Sequence, residues 1–160
     1  MAELIRTERV ERAIRLHLSG YNCAQAVLCA FCDVTGADER TLLRAASDLG
    51  GGLSGSHENA CGAVTGMLVA YGLIDGYDDV TDLDRKKQVY ENGQKLISRF
   101  REEFGSLTCA VLKDEIAPGF AGRPHALVTE EAPKPCSKFV AAGAAILDAF
   151  LKEKENEKNV

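Results

Sequence analysis

The sequence predicts an all-α fold, a single-domain bundle of about six helices, and three observations carry that expectation. Apolar residues recur at three- and four-residue intervals along most of the chain, breaks between these runs fall at Asn, Asp, Thr, Ser, Gly and Pro, and no segment alternates strictly as a half-buried strand would. The chain's 160 residues suit one domain, able to bury roughly two thirds of its unfolded surface without disulfide or metal staples.

From Glu3 to Leu18, Ile5, Val10, Ala13, Ile14 and Leu18 alternate with arginines and glutamates at close to helical spacing, and Ser19-Gly20 ends this first helix. Asn22 is placed to cap a second helix, Cys23 to Cys32, which is apolar nearly all round and therefore belongs in the interior. Asp38 opens a short third helix with Leu42, Leu43, Ala45 and Ala46. A glycine-rich loop, Gly50 to Gly55, then hands over to Asn59, read as the cap of a fourth helix running to Ile74. The longest helix is expected over Leu83 to Phe104, with Leu83, Tyr90, Ile97, Phe100 and Phe104 near a seven-residue repeat and its lysines and arginines in solvent. Thr108 can cap a short turn from Cys109 to Lys113. The segment from Ile116 to Pro135 holds all four prolines and reads as a long loop of the kind that carries function. Pro135 suits the first position of a last helix containing Phe139, Val140, Ile146, Leu147, Phe150 and Leu151. Residues 1–151 thus form one helical domain, and residues 152–160 a charged tail expected to fray.

This reading sorts the six cysteines. Cys23, Cys61, Cys109 and Cys136 each fall in the first turn of an expected helix, where unpaired N–H groups and the positive end of the dipole favour a thiolate over a thiol. Cys29 and Cys32 resemble a redox Cys-x-x-Cys, but they lie deep in an apolar helix and read as core residues. Separations of 38, 48 and 27 residues within the quartet exclude a zinc ribbon or a ferredoxin-type run, whose ligands come in tight pairs. A bundle can still gather four helix starts at one end, near the glycine loop and the 114–135 loop. There the thiols would hold a metal cluster or cycle as two dithiol/disulfide pairs. Gly62, Gly66 and Ala70, spaced by four, lay a side-chain-free stripe along the fourth helix, so that a neighbouring backbone or a cofactor can approach.

The Cys61-Gly62-Ala63-Val64-Thr65-Gly66 motif, the Gly20-Tyr21-Asn22-Cys23-Ala24-Gln25-Ala26-Val27 segment and the later Cys109 and Cys136 together resemble the C_GCAxxG_C_C family of redox-active proteins. The resemblance spans about Glu8 to Leu151 and selects the same quartet as the helix-start argument, leaving out Cys29 and Cys32. It implies a small α-helical redox module, with an iron–sulfur centre as one cofactor.

The function expected is therefore redox chemistry at Cys23, Cys61, Cys109 and Cys136. They would act either as ligands of an iron–sulfur cluster or other soft metal ion or as dithiols, passing electrons to a partner protein, with Gly62 and Gly66 making room for the cluster or the partner. His57, four residues before Cys61, can lower a thiolate's pKa, ligate a metal or shuttle a proton, although an isolated loop histidine is more often exposed and idle. His17 and His125 carry less signal. A Cys–His hydrolase would need a third orienting residue, and none is evident. The alternative from another class is a non-catalytic metal-binding or helical interaction module whose cysteines are structural. A net charge of −5 without a long basic run argues against nucleic acid. The N-terminal residues lack a signal-peptide core, and no apolar stretch is long enough to insert in a membrane, so a cytoplasmic protein is expected. The glycine stripe would serve equally for packing on a second copy, which makes a homodimer conceivable.

Overall fold

The computed structural model describes residues 6–116 and 135–159. Among these residues it contains eight helices and no strand, only an isolated antiparallel bridge between Ala60 and Thr108. The class is the expected one; the count exceeds six because one expected helix is broken and short turns qualify as helices of their own.

Helix α1 spans Glu8–Leu18, capped by Thr7, whose side chain accepts from the Val10 N–H at 3.3 Å. Asn22 caps α2, Cys23–Cys29, within a complete capping box: Gln25 N–H donates to Asn22 Oδ1 at 2.9 Å and Asn22 N–H to Gln25 Oε1 at 3.0 Å. The expected continuation to Cys32 fails at Ala30-Phe31, where the ladder tightens to three-residue bonds, Phe31 N–H donating to Leu28 O at 3.1 Å. A separate turn, α3, covers Cys32–Thr35 and closes at Gly36, φ +71°. Asp38 caps α4, Glu39–Ala45, as expected.

Helix α5, Gly62–Asp75, lies in the centre against α2, α8 and α6. Helix α6, Leu83–Phe104, has the bounds the sequence predicts and the second half of the expected seam: Ile97, Phe100 and Phe104 pack on the core, whereas Leu83 and Tyr90 face solvent and Asn92 and Leu96 are buried in addition. Helix α7 covers Cys109–Ile116, and α8 covers Ser137–Lys158, taking in most of the stretch expected to fray. Residues 117–134, which contain the proline-rich loop and His125, lie outside the described residues.

The core is one cluster in which Val10 and Ala13 of α1, Val27 and Leu28 of α2, Val64 and Met67 of α5, and Phe139 and Leu147 of α8 are essentially inaccessible. Helix α1 is tied to α8 by Arg9, which donates to Asp148 at 2.8 Å, an acid also held by Lys152 at 2.9 Å. None of the described helices is long and apolar enough to cross a membrane.

Candidate functional site

Close backbone approach brings the cysteine-bearing segments together. A Cβ on Gly66 would lie 2.4 Å from Ala24 O, and one on Gly62 would lie 2.9 Å from Cys23 Cβ. The stripe therefore makes room for α2 of the same chain. A Cβ on Gly143 would likewise meet Ala63 O at 2.9 Å, which brings α8 down on α5. These contacts set the starts of α2, α5 and α8 side by side, with Cys23, Cys61 and Cys136 on them.

The loop before α5 reaches the fourth cysteine. Five successive residues, Gly51, Gly52, Leu53, Ser54 and Gly55, have positive φ, and His57 has φ +63°. Such backbone suits glycine and strains Leu53, Ser54 and His57. The turn closes on itself through Ser54 N–H to Asp48 O at 2.7 Å and His57 N–H to Gly51 O at 2.8 Å. Its far side pairs with the start of α7: Cys61 N–H donates to Leu107 O at 2.7 Å, Cys109 N–H to Asn59 O at 2.9 Å, and Ala110 N–H to His57 O at 2.9 Å.

That pairing corrects two expectations. Asn59 does not cap α5: its carbonyl accepts from the Cys109 N–H, and the helix begins only after Cys61. Cys61 is itself the N-cap residue, φ −56° and ψ 138°, one step before the helix rather than inside its first turn. Cys136 likewise occupies the N-cap position of α8, while Cys23 and Cys109 are the first residues of α2 and α7.

All four thiols share one electrostatic environment. The charge of each would be felt by the other three, and the Cys136 thiol favours the protonated form of Cys23. Cys61, Cys109 and Cys136 are buried. Cys23 keeps some accessible surface as a residue, yet its sulfur is densely surrounded. The expectation of stabilised thiolates is reversed in this arrangement. Burial pushes the Cys61 thiol up to about 12, although the Ala63 and Val64 N–H groups at the start of α5 pull the other way. The neighbouring Cys136 thiol, followed by burial and the other thiols, holds Cys23 well above the ordinary thiol value, and burial raises Cys109. The helix-end donors act as the sequence suggests, but removal from water outweighs them.

Two imidazoles complete the cluster. His57, half-buried, has Nδ1 at 3.3 Å from Cys109 Sγ. His17, which the sequence did not single out, is 4% exposed; its Nε2 lies 3.7 Å from Cys23 Sγ and its Nδ1 2.9 Å from Ser137 Oγ. A signal existed in the spacing, since Val10, Ala13 and His17 fall on one face of α1. Cys29 and Cys32 stand apart at the junction of α2 and α3. Thiols and imidazoles are soft donors by residue type. Among the described residues, no group of three or more His, Cys, Asp or Glu is arranged to hold a metal ion.

A family model described as "Putative redox-active protein (C_GCAxxG_C_C)" matches residues 21–150. No curated protein and no solved structure matches the chain.

Proposed function

The chain belongs to the C_GCAxxG_C_C family of redox-active proteins, and on that premise we propose that it exchanges electrons with a partner protein through dithiol/disulfide chemistry at Cys23, Cys61, Cys109 and Cys136. The observation that carries this reading is that Cys23 and Cys136, 113 residues apart in the chain, stand at the adjoining starts of α2 and α8, near enough for the Cys136 thiol to raise that of Cys23. In the exchange, Cys23 gives its proton to Nε2 of His17 and attacks one sulfur of the partner's disulfide; the other partner sulfur leaves and takes up that proton. Cys136, losing its own proton, then attacks Cys23 Sγ. The second partner sulfur departs with that proton, so one disulfide has formed, one has broken, and two electrons have moved to the partner.

His17 is suited to its part because Nδ1–H can donate to Ser137 Oγ in both charge states, which leaves the Nε2 lone pair facing the thiol. Cys61 and Cys109, whose flanking segments are hydrogen-bonded to each other, would hold a second electron pair, with His57 the base beside Cys109.

A second reading is that the quartet binds an iron–sulfur cluster or another soft cation. The mutual effect of the four thiols favours it: each opposes ionisation of the others, and a cation among them would relieve that repulsion while replacing their protons. Gly62 and Gly66 would then act indirectly, by keeping α2 close to α5.

Anaerobic purification with thiol counting and metal analysis on one sample tests both. The first reading expects the four quartet thiols to oxidise and reduce reversibly as two couples, the Cys23–Cys136 couple being lost in Cys136→Ser and both being kept in Cys29→Ser. Stoichiometric iron and sulfide, lost in Cys61→Ser, would establish the second reading instead. Thiols that neither cycle nor bind metal would leave a helical module with structural cysteines.

A further inference from the structure

Outside the quartet, the remaining two cysteines meet at the one break in the core helix. Cys29 is the last residue of α2 and is fully buried; Cys32 is the first residue of α3 and is half-buried. The tightened turn through Ala30-Phe31 sets the two residues three positions apart across the helix break, near enough for the charge of Cys32 to add to burial in raising the Cys29 thiol. A three-residue offset across such a turn also matches the Cα separation of roughly 5–6 Å that a disulfide requires. Arg12 of α1 and Glu39 of α4, ion-paired at 3.0 Å, both face the two sulfurs; beyond burial, Glu39, with Asp33 beside Cys32, disfavours charge there more than Arg12 favours it, so both thiols stay protonated above the ordinary range.

We propose that Cys29 and Cys32 form a second dithiol couple, separate from the quartet, that is oxidised to a disulfide by small disulfides of the glutathione class. Cys32 is the entry point because it has accessible surface, whereas Cys29 is fully buried. As a thiolate, Cys32 attacks one sulfur of the small disulfide, and the other sulfur leaves and takes up the Cys32 proton. Cys29 then attacks Cys32 Sγ and expels the second small thiol, which carries away the Cys29 proton. One disulfide is consumed, one is formed, and two small thiols are released. Burial pushes the Cys29 thiol up to about 12, so the closing step is the slow one and quickens as pH rises.

The test uses the full chain equilibrated in buffers of oxidised and reduced glutathione, followed by alkylation in denaturant and fragment-ion mass spectrometry, which separates Cys23 from Cys29 and Cys32 on their shared peptide. Cys29 and Cys32 are expected to lose alkylation together, with a single midpoint, and to recover it on reduction. In Cys29→Ala, which replaces a buried cysteine with another small apolar residue, Cys32 should instead accumulate the glutathione adduct. The Cys136→Ser variant should leave the Cys29–Cys32 midpoint unchanged, which separates failure of this couple from failure of the quartet's. If both residues stay alkylatable across the whole range, or Cys32 is modified while Cys29 of the wild type remains a thiol, the proposal is overturned.

Discussion

His17 beside Cys23 and His57 beside Cys109 flank the same cluster of sulfurs, yet the two pairs are held by different means. The first rests on regular helices: His17 sits inside α1, Cys23 follows a capping box, and Ser137 opens α8. The second rests on a loop with five consecutive positive φ angles, fastened by three backbone hydrogen bonds to the start of α7. A helix places a side chain through packing and can be moved only by separating helices. A strained loop places it through backbone geometry and can be disturbed by one methyl group. The two halves should therefore fail independently and under different substitutions.

The largest effect is expected on the helical half. In Gly66→Ala the new Cβ would lie 2.4 Å from Ala24 O, and neither is a flexible side-chain end, so α5 and α2 must part. A loss of about 3 kcal/mol in denaturant unfolding is expected, together with loss of the Cys23–Cys136 couple. Unchanged stability would mean that the close approach of these helices does not organise the cluster. On the loop half, Gly52→Ala combines φ +68° with a Cβ at 2.7 Å from His57 Cα and 2.8 Å from Cys109 Cβ. It should cost about 2 kcal/mol and speed alkylation of Cys109 while leaving the Cys23–Cys136 couple intact. Equal damage to both couples would show that the halves are one unit.

A third effect follows from the reversed thiol chemistry. Cys61 holds its proton more tightly in the folded chain, about 12 against an ordinary 9.0. The stabilisation is thus fully present below about pH 9 and lost as pH rises toward 12, by about 1.4 kcal/mol per unit in that window. Unfolding free energies measured at pH 8 and pH 10 should show the decline, and Cys61→Ala should make it shallower. A variant that declines as steeply as the wild type would remove Cys61 from the buried cluster.

The same division governs what could be read from the sequence. Asn22 as a cap, Cys23 at a helix start and the Gly62–Gly66 stripe were legible because caps and four-residue spacing are local rules. Asn59 misled because Asn before an apolar run has the form of a cap, whereas its carbonyl is taken by Cys109, about 50 residues away in sequence. His17 escaped notice because a single histidine on an amphipathic helix has many uses, and only the position of α8 reveals Ser137 as its neighbour. The state of the thiols was not legible at all. A helix start predicts a stabilised thiolate, but the opposing term is burial, which depends on helices that meet only in the folded chain.

The smallest expected effect sharpens the point about position. Gly72 lies on α5 as Gly66 does, but near the other end of the helix, and a Cβ there would have nothing within 4 Å. Gly72→Ala should therefore do what alanine ordinarily does in an exposed stretch of helix, raising stability by up to about 1 kcal/mol without altering either thiol couple. The paired result separates two meanings of glycine on one helix. At Gly66 the missing side chain is filled by another helix, so the residue is a condition for assembling the sulfurs; at Gly72 it only loosens the chain. If Gly72→Ala cost as much as Gly66→Ala, the shared cause would lie in α5 itself, and its contact with α2 could no longer explain why Cys23 and Cys61 lie together.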